Sequence, residues 1–266
     1  MSEHGRLGFD FPKTACLLIH GFGGSPFEME PLVPELEALG CHIDLPTLPG
    51  HGTTIAEFRR TFFQDWLACA EERFIKLTEN NDLVIPIGFS MGASIALILA
   101  ARYQAFAHVQ AAVALAPAYD LYRFLPLKRL AFRLSASLLQ YIRPVLPIPV
   151  SGQESRDMAP YKGYEGYLCL PQMVSLGKGL STMRSLLSNL SCPLLMMFEV
   201  RDSICRPEAA LYIAQSISSA NVSVHLLRMA ENVTSHHMLT THRDTREKVA
   251  SETADFVRQA IIGHRC

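Results

Sequence analysis

The stretch LVIPIGFSMGASIALILAA, residues 83–101, constrains the fold more than any other. An apolar run of strand length stops at Gly88. One serine stands between two glycines, and an apolar run of helix length follows. A strand that enters a helix through so tight a turn needs neighbours without side chains, because the backbone closes on itself there. The pattern places Ser90 at the turn, its hydroxyl above the end of a sheet and the free N–H groups of a helix N-terminus beside it. G-x-S-x-G alone arises by chance in about one chain of this length in fifteen. The strand before it and the helix after it give it weight.

The same alternation runs through most of the chain. Residues 15–19, 41–45, 83–88, 109–117, 193–199 and 222–229 read as strands. Helical patterns cover the stretch from HGFGGSP to about Leu39, then 63–79, 91–103, 207–218 and 246–262. Gly40 is placed to end the first of these helices in a left-handed conformation. In 63–79 the residues Phe63, Trp66, Leu67, Ala70, Phe74 and Leu77 recur at spacings of three and four. Strands separated by helices predict an α/β fold, a mostly parallel sheet with helices on both faces. Residues 118–190 break the rhythm. They carry no convincing strand and only short helical patterns, and they read as an insertion between core segments 1–117 and 191–266.

Composition removes several function classes. The formal net charge of the 266 residues is −1, so the chain lacks the basic excess that neutralises phosphates, and no nucleic-acid partner is expected. The seven cysteines are scattered, odd in number and without metal spacing, which fits a reduced, cytoplasmic setting. The first residues have mixed charges and no signal-peptide pattern. The longest apolar run falls far short of the roughly 20 residues of a membrane span, so no transmembrane segment is expected. No GxxxxGK[ST], no GxGxxG after a strand and no HExxH occurs, and neither metal nor cofactor is expected. The sequence carries no signal for an oligomeric state.

A serine at its normal pKa needs a base, and the base needs an orienting carboxylate. In a strand–G-x-S-x-G–helix fold the chain order is serine, acid, histidine. Asp202 directly follows the strand at 193–199. The loop after 222–229 offers His236, His237 and His242, whereas His225 lies inside the strand. An oxyanion hole needs two preorganised donors. Met91 N–H, just after the nucleophile, is one. HGFGG at 20–24 follows an early strand and supplies the other at Phe22 N–H, with Gly23 and Gly24 giving the backbone room.

These stretches carry a family likeness. LLIHGFGGSP, LPGHGTT, TFFQDWLACAEE, GFSMGASIALILA, RDSICRPEAA and TSHHMLTTHRDTREKV together resemble the α/β-hydrolases of the small bacterial carboxylesterase and monoacylglycerol lipase group. The resemblance implies that His237 is the base, with His236 at the variable middle place of Ser-x-His. It also implies a Ser90–His237–Asp202 triad and oxyanion donors at Phe22 and Met91. Two positions depart from the group: His242 replaces a frequent Asp, and Cys205 replaces an aliphatic residue. The 118–190 insertion matches the position of the group's small helical cap. Within it, 119–150 carries five Lys/Arg and one Asp among Leu, Phe and Tyr. That is a solvated face over an apolar underside, or a surface that docks on lipid aggregates. Tyr164-Glu165 resembles a cap position at which Glu165 would accept hydrogen bonds from glycerol hydroxyls. The implied function is hydrolysis of carboxylic esters, monoacylglycerols or other short-to-medium acyl esters. Peptide hydrolysis, acyl transfer, C–C hydrolysis and non-catalytic ligand binding are the alternatives on the same scaffold.

Overall fold

A computed structural model describes residues 12–105, 109–120 and 138–264. The N-terminal segment expected to lack a signal peptide, and Arg123, Lys128, Arg129 and Arg133 of the basic stretch, lie outside the described residues. The described strands are β1 (Thr14–Ile19), β2 (His42–Asp44), β3 (Leu83–Phe89), β4 (Ala112–Leu115), β5 (Val145–Pro147), β6 (Tyr167–Cys169), β7 (Leu194–Glu199) and β8 (Val222–Leu227). Six of them form one sheet in the order β2-β1-β3-β4-β7-β8, and every pairing in it is parallel. β1, β3, β4 and β7 are buried at every position, as a parallel sheet covered on both faces requires.

The described helices are α1 (Val33–Glu37), α2 (Ile55–Phe58), α3 (Phe63–Thr78), α4 (Met91–Tyr103), α5 (Gln153–Met158), α6 (Leu170–Leu186), α7 (Ala209–Ser216) and α8 (Arg246–Gly263). α1 packs with α8, and α3, α4 and α6 form a second packed group. All six apolar residues expected to form the stripe of α3 are buried. Asp65 accepts the Phe62 N–H at 2.8 Å and so satisfies one donor at the start of α3. α4 is buried at eleven positions from Met91 to Ala101, which is why its sequence has no polar face.

Two expectations need correction. The single helix expected to end at Leu39 is instead two 3-10 turns, Pro26–Glu28 and Glu30–Leu32, followed by the five-residue α1. Pro26, Pro31 and Pro34 each lack an N–H and interrupt the helical ladder. Gly40 does end this segment at φ +79°. The insertion, expected to lack strands and long helices, holds an antiparallel pair, β5 with β6, and the 17-residue α6. β5 and β6 are three residues each, too short to show alternation. α6 contains Gly177 and Gly179, which weaken its helical signal. Gly179 has a packing reason: a Cβ there would lie 2.2 Å from the Phe63 ring, so only glycine lets α6 approach α3 this closely. Ser175 of α6 accepts the Phe63 N–H at 3.0 Å, and Gln172 donates to the carbonyls of Arg59 and Thr61.

The strand order fixes where a site forms. From β1 the chain moves outward to β2, and from β3 it moves the other way to β4, so the order reverses between β1 and β3. Loops at the carboxyl ends of such neighbours open a crevice. Ile19 is opposite Gly88 in the register, which puts the 20–24 loop beside the serine turn. A Cβ on Gly92 would fall 2.0 Å from Ile19 O, whereas one on Gly177 would meet open space. Replacing Gly92 with alanine is therefore expected to cost at least ~3 kcal/mol or prevent folding. Gly177→Ala, inside a helix, should stabilise by about 0.5–1 kcal/mol. Denaturant midpoints of the two variants against the parent check the contrast.

Candidate active site

Ser90 stands between β3 and α4 with φ +55° and ψ −115°. This strained conformation costs a non-glycine residue about 1–3 kcal/mol and must be held from outside. Its N–H donates to Leu115 O at 2.8 Å, and its carbonyl accepts from Ala118 N–H at 3.2 Å and Ser94 N–H at 3.3 Å. The two flanking glycines do different work. A Cβ on Gly88 would strike Gly92 O at 2.1 Å, across the turn, while Gly92 makes room for the end of β1.

His237, in the loop after β8, joins the other two members of the expected triad. Its Nε2 lies 3.0 Å from Ser90 Oγ, and its Nδ1 lies 2.7 Å from Asp202 Oδ2. The carboxylate partner fixes the tautomer, so Nδ1–H donates to Asp202 and Nε2 accepts from the serine hydroxyl. Asp202 Oδ1 accepts the N–H groups of Ile204 and Cys205 at 2.7 and 2.9 Å, which holds the carboxylate in place. Burial alone would lower the His237 pKa. The charge and hydrogen bond of Asp202, with the charge of Glu28, outweigh it and raise the ring above its ordinary 6.5. Cys205 Sγ is 3.8 Å from Ser90 Oγ, and burial holds this thiol protonated.

The base loop is strained and braced. His236, immediately before the base, has φ +58°. It turns away to Glu231, with Nε2 2.9 Å from the Glu231 carbonyl. The Glu231 carboxylate accepts the N–H groups of Val233 and Thr234 and the Thr234 hydroxyl. Burial would raise its pKa, but these hydrogen bonds and nearby His236 bring it down to about 2. Arg201 donates to the carbonyls of Met229 and Glu231, and Ser203 N–H donates to Ser235 O, so the acid loop and the base loop are one unit. His242 is buried and structural. Its Nδ1 accepts Asp244 N–H at 3.1 Å, and its carbonyl accepts Arg246 N–H at 2.9 Å at the start of α8.

Three N–H groups of the 20–24 loop are held by protein acceptors. Gly21 N–H donates to Glu28 Oε2 at 2.7 Å, Gly23 N–H to His51 Nε2 at 3.1 Å, and Gly24 N–H to Gly21 O at 3.2 Å. Among the described residues no protein group accepts from Phe22 N–H or from Met91 N–H, the two expected oxyanion donors. The Phe22 ring is wedged against Phe58 and Trp66, at centroid distances of 5.4 and 5.7 Å, which fixes the backbone it belongs to. Two neutral histidines fasten the loop from behind. His20 accepts Leu48 N–H and donates to Gly21 O, and His51 accepts Gly23 N–H and donates to Pro49 O. Burial pushes their pKa values down to about 4 and about 3, so both keep the acceptor nitrogen they need.

Ser90, His237 and Phe22 open on a cavity of about 470 Å³, whose wall combines apolar residues such as Met173, Leu176 and Met238 with polar ones. Glu165 is in its wall, but not as a free acceptor. Arg156, also in the wall, lies 2.9 Å from Glu165 Oε2. Tyr161 and Tyr164 tie the insertion to the loop below: Tyr161 hydroxyl and Tyr164 N–H both donate to Gly23 O at 2.8 Å. Glu28, His51, Tyr161 and Arg156 were not singled out by sequence reasoning. Each is isolated in the chain and meets the site only through the fold. Among the described residues no group of three or more His, Cys, Asp or Glu is arranged to hold a metal ion, and no helix is long and apolar enough to cross a membrane.

A parallel sheet of this order, with a strained serine after its third strand, is an α/β-hydrolase fold. The chain belongs to the hydrolase family described as serine aminopeptidase, S33, which matches residues 10–239. It is 27% identical over 259 residues to a thermostable monoacylglycerol lipase of Bacillus sp. (strain H-257), covering 97% of this chain and 94% of that one. Its fold is shared with a structure of the metagenome-derived lipolytic enzymes LipS and LipT, at a TM-score of 0.79, 22% identity and coverage of 94% and 95%. A soluble variant of the monoglyceride lipase of Saccharomyces cerevisiae, in complex with a substrate analogue, has a TM-score of 0.72 at 17% identity, covering 94% of this chain and 87% of that one.

The His51 clamp has a pH signature. Its folded pKa lies below the unfolded 6.5, so the neutral ring stabilises the fold fully above pH 6.5, and this contribution is lost as pH falls toward 3. The stability margin of the parent over His51→Gln should shrink across that interval, by at most about 1.4 kcal/mol per pH unit. Urea titrations at several pH values measure it, and a margin independent of pH would contradict the clamp.

Proposed function

We propose that the chain is a serine carboxylic ester hydrolase that acts on monoacylglycerols or other short-to-medium acyl esters through an acyl-enzyme. One observation carries this reading: His237 bridges Ser90 Oγ and Asp202 at the floor of a largely apolar cavity. In the proposed mechanism His237 takes the serine proton as Oγ attacks the ester carbonyl. Phe22 and Met91 N–H groups receive the oxyanion, each contributing about 3 kcal/mol to the transition state. His237 then protonates the leaving alcohol and afterwards activates the water that releases the acid. Asp202 orients the ring and stabilises its charged form. The mechanism draws on no metal or organic cofactor.

The substrate class is supported by the lining. Leu168, Met173 and Leu176 suit an acyl chain, while the Arg156–Glu165 ion pair places polar groups in the same wall. Likeness to the Bacillus monoacylglycerol lipase over nearly the whole chain points the same way. Residues 118–190 act as the cap in this reading, with 1–117 and 191–266 as the core. The family description raises peptide hydrolysis as the competing reaction. An aminopeptidase must bind a free ammonium group. Here the pairing of Glu165 with Arg156 and the burial of Glu28 leave the cavity poorly equipped for one.

Ser90→Ala should lower turnover of a p-nitrophenyl acyl ester on the order of ten-thousand-fold, with binding largely kept. His237→Ala should do the same, whereas His236→Asn, which tolerates the positive φ, should stay within about tenfold. A reversed ranking of the two histidines would refute the assignment. Since His237 is raised above 6.5, kcat/KM should fall on acidification through a midpoint above that value. A panel of monoacylglycerols, simple esters and aminoacyl amides separates lipase from peptidase.

A further inference from the structure

Three carboxyl groups are buried outright among the described residues: Glu28, Glu199 and Asp202. Asp202 holds His237, and Glu199 accepts Met229 N–H beside Arg201. Glu28 lies in the wall of the same cavity as Ser90 and His237, outside the Ser90–His237–Asp202 chain of hydrogen bonds. An acid is costly to bury, and this one has a site built for it. Gly21 N–H donates to its Oε2 at 2.7 Å. A Cβ on Gly24 would fall 2.4–2.5 Å from its carboxyl atoms, so glycine at 24 makes the space it occupies. A Cβ on Gly21 would lie 3.1 Å from Glu28 Oε2 and 3.4 Å from Ser90 Cβ, so the carboxyl group and the nucleophile flank one point of the loop. The next N–H along that loop belongs to Phe22.

We propose that Glu28 is a positioning residue that holds the oxyanion loop through Gly21 N–H and serves, with Asp202, as a second negative partner of the His237 imidazolium. The proposal rests on the ester-hydrolase reading of the site. Several titratable groups share its surroundings. His237 comes from the base loop, with Asp202 and the protonated Cys205 beyond it, and His20 stays neutral behind Gly21. From the insertion come Tyr161, whose phenol burial keeps protonated, and the Glu165–Arg156 pair. Arg156 is engaged by Glu165 and Lys162 lies over the Phe27 ring at 4.2 Å, and His237 is the cation whose charge acts on Glu28. Burial raises the Glu28 carboxyl to about 7 against the opposing pull of Gly21 N–H and His237. The charge of each group is therefore felt by the other. An ionised Glu28 favours the imidazolium formed during turnover and disfavours the oxyanion beside it.

Glu28→Gln keeps an oxygen for Gly21 N–H and removes the charge. The experiment measures the rate at which a fluorophosphonate labels Ser90 as a function of pH, with Ser90→Ala as the blank, alongside kcat and KM on an ester. In Glu28→Gln the acid limb of both labelling and kcat/KM should move down by about 0.5–1 pH unit, because His237 loses a stabiliser of its charged form. Glu28→Ala, which leaves Gly21 N–H unpaired, should lower kcat about ten- to hundredfold with little change in KM. An unmoved limb in Glu28→Gln overturns the proposal while leaving the hydrolase reading intact. Absence of Ser90-dependent labelling in the parent chain removes the reading itself. The low-field imidazole proton of His237, followed by NMR in the parent chain and in Glu28→Gln, should show the same downward shift of its midpoint, and an unmoved midpoint also overturns the proposal.

Discussion

Ser90 is held at φ +55° by the backbone around it, and much of the architecture serves that constraint. Left to itself the residue would relax into the broad β or α regions. It is kept from doing so by the Leu115 carbonyl at the end of β4, by Ala118 N–H just beyond, and by the first turn of α4. Those groups are in place only if β3 and β4 keep their register and α4 lies close over β1. Gly88 and Gly92 are what permit that closeness. Gly92 makes contact with the strand that precedes the 20–24 loop, so the requirement that positions Ser90 also brings the proposed oxyanion donor at Phe22 alongside. One short-range packing condition thus sets the two halves of the chemistry relative to each other.

The remaining partners are held by polar contacts. Asp202 and His237 sit on loops that follow adjacent parallel strands, β7 and β8. Arg201, Ser203 and Glu231 join those loops through backbone groups that would otherwise lack partners. The oxyanion loop has no such neighbour. It is fixed instead by neutral imidazoles, an aromatic cluster and one buried carboxyl group. A histidine suits this task because, uncharged, it offers one acceptor and one donor on opposite edges of a rigid ring. Depressed pKa values keep His20 and His51 in that form. The same site therefore uses imidazole in two ways: burial keeps two rings from titrating, while acidic neighbours hold the third in the range where it can.

Much of this was legible in the chain. Ser90 and its glycines announce themselves through a strand–turn–helix pattern that few other structures satisfy. The α3 stripe and the buried α4 follow directly from periodicity. The chain order of an α/β sheet led to Asp202, and family resemblance separated His237 from His236. What stayed hidden is instructive. α6 was obscured because Gly179, a poor helix former, is required by contact with Phe63, so tertiary packing overrode propensity. β5 and β6 are stabilised by pairing rather than by pattern. Glu28 and Tyr161 are single polar residues without a local pattern, and His51 lies in a loop motif that does not show what its ring holds. Their meaning comes from Gly21 and Gly23, and no local periodicity records a contact made across 28 or 138 residues.

Gly23 O deserves its place at the centre of that account. It accepts from Tyr161 hydroxyl and from Tyr164 N–H, both in the insertion, while Gly23 N–H is held by His51 from the core side. Tyr164 hydroxyl continues to the carbonyl of Gly50, next to His51 itself. The peptide units on either side of Gly23 are therefore shared between the roof of the cavity and the core, one residue from the Phe22 donor. Glu165, with its Arg156 partner, follows Tyr164 directly. In the proposed reading, the wall that would meet the leaving group and the loop that would hold the oxyanion share the Gly23 carbonyl. In such an arrangement a poorly fitting substrate would lose transition-state stabilisation as well as binding, so selectivity would be expressed in kcat as well as in KM.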